Sequence, residues 1–400
     1  MAGVPEEIIT VSEESEGLLG WVVIDTTVRG QSSGGLRMHP ALTEPELRDL
    51  ARTMTLKYGF LGMPKGGAKA GIRFDPEKDR AEALRLLGLF GKAIRPIIES
   101  RRFLPGPDVG TGAREITHLF RECGAPFREE ELWSYEDSGG HTAAGVVEAY
   151  RRVAARLSIP PEESTVVIEG SGAVGNAVFR KLTAMGVRVA ALSNRFGWIF
   201  NPNGIDGPAW TSFLASCGPE EITRFPGAEE VTREEALRFP AAAFLPCALS
   251  HTIGEKEAAW LVAKVVVPGA NNPWTPQARL RLESRGILLL PDFVVNSGGV
   301  LGGALQHGGL SREEAERKVA DLVGRAVDVL LEKAESLSLS PIVLAEEAST
   351  RRFRAMRNAP SSRILLALLA MKRRGLIPST LGPFLARRFA ARLGRGIARF

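Results

Sequence analysis

Thr165-Val166-Val167-Ile168-Glu169-Gly170-Ser171-Gly172-Ala173-Val174-Gly175, followed by a helical stretch to Met185, then Gly186 and a second apolar run from Val187 to Leu192, decides the fold of this chain. A β-branched run that ends in G-x-G-x-x-G and opens directly into helical periodicity reads as the strand, turn and helix of a dinucleotide-binding unit. Each glycine has its own task. Gly170 permits the tight turn, Gly172 lets backbone N–H groups approach a pyrophosphate, and Gly175 lets helix and strand pack closely. A glycine-rich turn without a ligand is the alternative, and the strand-turn-helix context weighs against it. The second strand closes on Ser193-Asn194-Arg195, where an NAD-specific site would carry a carboxylate. With none to repel a 2′-phosphate and Arg195 there to attract one, NADP is favoured over NAD. In the other reading Asn194 accepts a ribose hydroxyl and Arg195 points to solvent.

Further apolar runs extend the pattern outward. Val265 to Val267 ends at Pro268-Gly269 and Ile287 to Leu290 ends at Pro291-Asp292, so short strands alternate with helices, as in a parallel sheet with crossover helices. This nucleotide-binding α/β domain spans residues 141–305. Upstream, strands are expected at Trp21 to Ile24 and Thr26 to Val28. A helix from Glu44 to Leu61 should start after Thr43 with Pro45 in its first turn, making residues 1–140 a second α/β unit. After Ser311, with Glu314 three residues on, a helix runs to about Ser336. Residues 306–358 are read as C-terminal helices that pack back across the junction of the two domains.

The chain has 400 residues, 44% hydrophobic and 24% charged, which excludes a disordered chain; its Gly and Pro follow no period, so fibrous and repeat architectures fail as well. The net charge is +5, yet thirteen Lys and Arg follow the last acidic residue, Glu347, leaving −8 on residues 1–347 (+5 less 13). The basic balance therefore belongs to an appendage. Residues 359–400 read as a basic amphipathic extension, with Ile364 to Met371, Phe384, Leu385, Phe389, Leu393 and Ile397 set among arginines. Docking on an acidic neighbouring subunit is the favoured role, nucleic acid is not expected, and contact of residues 361–400 with an anionic membrane surface is the less favoured option. Cys123, Cys217 and Cys247 form no metal-ligand spacing or disulfide framework, and no signal or spanning segment is visible, so a cytoplasmic protein without a bound metal is expected.

Two short segments carry candidate chemistry. Only 11 of the 51 basic residues are Lys, yet Lys57, Lys65 and Lys69 fall within thirteen residues. A buried amine can be tuned toward neutrality and act as a base, which a guanidinium cannot do. Gly62, Gly66, Gly67 and Gly71 beside them would let substrate and backbone come close. Pro105-Gly106-Pro107-Asp108-Val109-Gly110-Thr111-Gly112 is a stiff loop presenting one carboxylate. Asp108 could alternatively cap the helix that starts near Ala113.

At these residues the sequence resembles the glutamate/leucine/phenylalanine/valine dehydrogenase family. The resemblance rests on Gly34-Gly35-Leu36-Arg37-Met38-His39-Pro40, Met54-Thr55-Leu56-Lys57, Gly66-Gly67-Ala68-Lys69-Ala70-Gly71, Pro107 to Gly112, Thr142 to Val146, the G-x-G-x-x-G, Pro268-Gly269-Ala270-Asn271-Asn272 and Pro291-Asp292 through Asn296 to Val300, in family order. It implies an α/β protein with an N-terminal substrate-binding and oligomerisation domain, a Rossmann-type dinucleotide domain and a cleft between them. The implied reaction is NAD(P)-dependent, reversible oxidative deamination of an L-amino acid to the 2-oxo acid and ammonium by a homo-oligomer. By the family pattern Lys57 binds the substrate α-carboxylate, Lys69 activates water and Asp108 is the acid/base. Thr142 and Asn271 position the nicotinamide, and Asn296 lies where substrate and cofactor meet. A fold-sharing, non-catalytic nucleotide-binding paralogue is the alternative of another class.

The segments leave the substrate open. Glutamate-specific members carry a Lys just before the first Gly-Gly, beside the substrate position of Gly34, and here that residue is Ser33. A serine they use after the N-x-G-G-V segment is replaced by Gly302 and Gly303. Losing a cation opposite a buried carboxylate should cost several kcal/mol, on the order of what changes a preferred substrate. An apolar or atypical amino acid is thus slightly favoured, with glutamate as the alternative if Lys65 supplies the missing charge.

Overall fold

Residues 4–125, 138–358 and 381–397 are described by the structure, a computed structural model. The chain divides into two units. The first comprises Met1–Asp137, Gly303–Ser311 and Glu346–Gly396, and the second Ser138–Gly302, Arg312–Ala345 and Ile397–Phe400.

The first unit is built on a five-stranded sheet of β1 (Glu7–Glu13), β2 (Leu18–Ile24), β3 (Ser32–Met38), β4 (Gly66–Ile72) and β5 (Phe103–Pro107), in the order β1-β2-β4-β3-β5. β3 pairs in parallel with both β4 and β5, whereas β2 runs antiparallel to β1 and β4. Both faces are covered. Leu36, Met38, Ala68, Ala70 and Ile72 pack with Leu86, Phe90, Ile116 and Leu119, from the helices Arg80–Ala93 and Ala113–Cys123. Trp21 and Val23 pack with Leu42, Leu47, Leu50 and Ala51 on the side of the helix Glu44–Leu61. That helix starts as its sequence requires: Thr43 is extended and its side chain accepts from the Glu46 N–H, a cap that contributes ~1 kcal/mol.

One expectation needs correction here. Thr26 to Val28 is not a strand: Val28 and Gln31 form an isolated bridge around Arg29 and Gly30, which have φ of 55° and 70°, so the chain reverses in a two-residue turn. Conversely, Glu7–Glu13 is an edge strand with no buried residue, and for that reason shows no apolar run in the sequence.

The described part of the basic extension is the helix Leu381–Ile397, and residues 359–380 lie outside the described residues. Ala386, Ala390 and Leu393 are buried along one stripe, with Ala386 over Gly308, Pro383 over Gly309 and Leu393 near Gly62, while Arg387, Arg388 and Arg392 are exposed. These three positions pack on the helix's own chain, while Phe384, in the same helix, is 52% exposed. Among the described residues no helix is long and apolar enough to cross a membrane.

The second unit holds a seven-stranded sheet: β6 (Thr165–Glu169), β7 (Arg188–Asn194), β8 (Gly197–Phe200), β9 (Glu229–Val231), β10 (Ala243–Pro246), β11 (Val265–Val266) and β12 (Leu288–Leu289), in the order β12-β11-β10-β6-β7-β8-β9. The pairs from β12 through to β7 are parallel, and β8 and β9 are added antiparallel. From β6 the chain goes first to β7 on one side and later to β10 on the other, which makes the carboxyl end of β6 a topological switch point. The helix Ser138–Arg156 packs against Ala173–Ala184 and Arg312–Leu337, and all three belong to this unit.

Candidate active site

In the first unit, β3, β4 and the end of β5 bring Arg37, Lys69 and Asp108 together. Lys69 is 3% exposed and its ammonium is ion-paired with Oδ2 of Asp108. Arg37, also 3% exposed, places Nε 3.4 Å from the same oxygen and Nη2 3.5 Å from Oδ1, while its Nη1 donates to Glu46 Oε1 at 2.5 Å. Burial pushes the Lys69 amine down from its ordinary value, Asp108 pulls it back up, Arg37 pushes it down again, and the net shift is downward. For Asp108 burial alone would raise the carboxyl, but Arg37 and Lys69 outweigh it and hold the group well below the usual carboxylate range. The result is an ionised acid beside an amine that gives up its proton more readily than an exposed lysine. Asp108 caps no helix: Ala113–Cys123 starts at Gly112, whose N–H is taken by Glu115 Oε2 at 2.8 Å. Thr111 fixes the Asp108 loop, accepting from the Asp108 N–H at 3.0 Å and donating to the Leu36 carbonyl at 2.6 Å.

The glycines around Lys69 serve packing, which corrects the reading that they make room for substrate. A β-carbon on Gly66 would stand 1.9 Å from the Thr26 carbonyl oxygen, on Gly67 2.2 Å from the Thr55 nitrogen, and on Gly71 2.3 Å from Leu42 Cδ2. Gly62 ends the helix Glu44–Leu61 in the left-handed region at φ 61°. Gly34 is demanded by its neighbour strand, because a β-carbon there would meet the Ala68 carbonyl oxygen at 1.6 Å. The Ser33 hydroxyl donates to the Leu104 carbonyl at 2.9 Å. Lys57 is buried on the helix Glu44–Leu61, and Lys65 is half-buried just ahead of β4.

The second unit presents the fingerprint in the expected strand-turn-helix setting. Gly170 has φ of 95°, and a β-carbon on Gly175 would stand 1.7 Å from the Gly170 carbonyl oxygen. A β-carbon on Gly172 would meet nothing within 4 Å, so the chain's own packing does not require glycine there. Ser193 accepts from the Gly170 N–H at 3.0 Å, Asn176 donates to the Ser171 carbonyl, and Trp210 Nε1 donates to Asn176 Oδ1 at 3.1 Å, so the loop is held from two sides. Asn194 is engaged with the Phe196 N–H and the Pro219 carbonyl, and the Arg195 guanidinium lies 4.6 Å from the centre of the Phe196 ring.

Asn271 and Asn296 are brought together: Asn296 Nδ2 donates to Asn271 Oδ1 at 3.0 Å and to the Ala270 carbonyl at 2.9 Å. Thr142 is buried in the first turns of the helix Ser138–Arg156. Gly303 is buried in the helix Gly298–His307, and its neighbour Gly302 faces the buried His141, where a β-carbon would stand 2.3 Å from the imidazole Cγ. The buried Ser171 Oγ and Asn296 Oδ1 have no hydrogen-bond partner among the described residues. Buried polar atoms without partners are costly. Together with the open face of Gly172 they fit a bound dinucleotide, whose pyrophosphate would lie over Gly170 to Gly175 and whose nicotinamide amide would reach the Asn271 and Asn296 group.

Sequence reading singled out Lys69 and Asp108, named Gly35 and Arg37 only within a family segment without a role, and passed over Glu46. Strand alternation was the available signal, since Arg37 stands two residues after Gly35 on a strand paired with that of Lys69.

The second unit thus carries a dinucleotide-binding fingerprint and the first a buried amine and carboxylate. Residues 134–363 match the glutamate/leucine/phenylalanine/valine dehydrogenase family, and residues 5–125 match the dimerisation domain described for the same enzymes. The chain belongs to this family and is an NAD(P)-dependent amino-acid dehydrogenase by that membership. It is 34% identical over 309 residues to the glutamate dehydrogenase of Thermotoga maritima, covering 71% of each chain. It is 29% identical over 352 residues to the NADP-specific glutamate dehydrogenase of Saccharolobus shibatae (82% of this chain, 83% of the other) and 31% identical over 324 residues to the NAD-specific enzyme of Staphylococcus aureus (77% and 78%). Among solved structures, the hetero-hexameric glutamate dehydrogenase of Thermus thermophilus superposes with a TM-score of 0.74 at 23% identity, over 89% of this chain and 91% of that one, a likeness of fold.

Proposed function

We propose that this chain is a glutamate dehydrogenase, catalysing the reversible oxidative deamination of L-glutamate to 2-oxoglutarate and ammonium. The observation that carries the chemistry is the buried Lys69–Asp108 pair. When bound, NAD or NADP would accept the hydride that leaves the substrate Cα. Lys69, with its amine poised below the ordinary lysine value, takes a proton from the water that attacks the resulting imine carbon. Asp108 relays protons between the nitrogen and oxygen of the carbinolamine, so that ammonia leaves and the carbonyl forms. Lys57 holds the α-carboxylate, and Asn271 and Asn296 orient the nicotinamide amide. Residues 5–125 would supply the contacts of a homo-oligomer, in keeping with the dimerisation domain they match.

Support for glutamate comes from the relatives near 30% identity quoted above, each a glutamate dehydrogenase. Ser33 favours a second reading, a substrate with an apolar side chain, because its hydroxyl is committed to Leu104 and brings no cation to the place of the γ-carboxylate. If glutamate is the substrate, Lys65 is the candidate cation. For the cofactor, β7 ends on Asn194 and is followed by Arg195, with no carboxylate, which favours NADP. A panel of L-glutamate, leucine, valine and phenylalanine with NAD and NADP tests all of this together. Glutamate with NADP should lead in kcat/KM by about tenfold or more. Leucine or valine ahead of glutamate would overturn the assignment in favour of the Ser33 argument.

A further inference from the structure

Asp108 lies between two cations, and only one of them can release a proton. Arg37 approaches both carboxylate oxygens, with Nε 3.4 Å from Oδ2 and Nη2 3.5 Å from Oδ1, and Lys69 is ion-paired with Oδ2. The guanidinium is itself anchored: Nη1 donates to Glu46 Oε1 at 2.5 Å, and Glu46 sits in the first turn of a helix whose start is fixed by the Thr43 cap. We propose that Arg37, held by Glu46, is a positioning residue of the reaction: it fixes the Asp108 carboxylate beside Lys69 and leaves Lys69 as the group whose proton moves. This rests on the reading that Lys69 and Asp108 carry the proton chemistry.

A guanidinium keeps its charge throughout the working pH range, so Asp108 retains a counter-ion at the moment Lys69 becomes neutral. Without Arg37, deprotonating Lys69 would strand a buried carboxylate, and that cost would oppose the very step the base must perform. The charged and titratable groups near this guanidinium include Asp108, Lys69 and Glu46, with His39 and, through it, Asp75 at the margin. Arg37 and Glu46 act on Lys69 in opposite senses, the first favouring loss of its proton and the second opposing it.

The test uses the full chain with Arg37→Gln, Arg37→Lys and Glu46→Gln, and two readouts: the pH profile of kcat/KM for deamination, and the pH dependence of Lys69 acetylation by acetic anhydride, followed by mass spectrometry. Arg37→Gln should move both midpoints to higher pH by about one unit. Arg37→Lys should restore most of that shift while kcat stays about tenfold low, because one ammonium cannot span two carboxylate oxygens. Glu46→Gln should move both midpoints to lower pH. Unmoved labelling in folded Arg37→Gln overturns the proposal directly. A labelling shift without a shift in activity overturns it through the catalytic reading of Lys69, which separates the two failures. Should Arg37→Gln fail to fold, Glu46→Gln decides, and unchanged midpoints there overturn the proposal.

Discussion

Lys69 and Asp108 can pair because Gly35 lies against both without a side chain. A β-carbon on Gly35 would stand 2.8 Å from Asp108 Cβ and 3.1 Å from Lys69 Nζ, with the Pro107 carbonyl oxygen at 2.9 Å. Gly35→Ala should therefore leave a folded protein, destabilised by ~1–3 kcal/mol in chemical denaturation. Displacing the pair should cost about 100-fold in turnover, as misplacement of reacting groups by about an ångström does. Titration of NADPH fluorescence should show cofactor affinity unchanged, and a loss of affinity matching the loss of turnover would argue against this account of Gly35.

The three fingerprint glycines separate packing from ligand binding. Gly175→Ala drives a β-carbon into the Gly170 carbonyl oxygen, so its melting temperature should fall. Gly172→Ala meets no protein atom and has an ordinary φ of −74°, so its melting temperature should match that of the parent. Its NADP affinity should nevertheless drop by about tenfold or more, since the methyl would occupy the approach of the pyrophosphate. Normal NADP binding by Gly172→Ala would contradict the placement of the dinucleotide.

The two shifted groups act at opposite ends of the pH scale. Lys69 must be neutral to take a proton, so kcat/KM should rise with pH through the Lys69 midpoint. Because that midpoint is lowered, the rise should come below the ordinary lysine value of 10.5. Asp108 has a folded value below its unfolded one, so its stabilising contribution is fully present above the ordinary aspartate value of 3.8 and is lost as pH falls toward its lowered midpoint. Denaturation curves from pH 6 down to about 2 should lose stability in the parent. In Asp108→Asn the loss should be smaller, whereas equal losses would show that Asp108 is not the linked group.

Much of this was legible before the structure. The β6-turn-helix unit, the start of the helix at Thr43 and the choice of the Lys-rich and Asp-bearing segments as candidates follow from local chemistry: strand propensity, a capping hydroxyl, and residue types suited to proton transfer. Long-range pairing was not legible. Nothing near Arg37 in sequence says that its guanidinium closes on Asp108, which is 71 residues away. The glycines around Lys69 looked like space for a ligand because their partners, Thr26, Thr55 and Leu42, come from other segments. Glu7–Glu13 escaped because an edge strand buries too little to leave a pattern. Ser33 was read from its neighbours in sequence, although its hydroxyl is engaged across the sheet with Leu104.

The central claim is that Lys69 performs chemistry, and Lys69→Ala with L-glutamate and NADP tests it most directly. Steady-state turnover should fall by about a thousandfold or more in the folded variant, while NADPH binding stays close to the parent value. Turnover within a few fold of the parent would contradict the account.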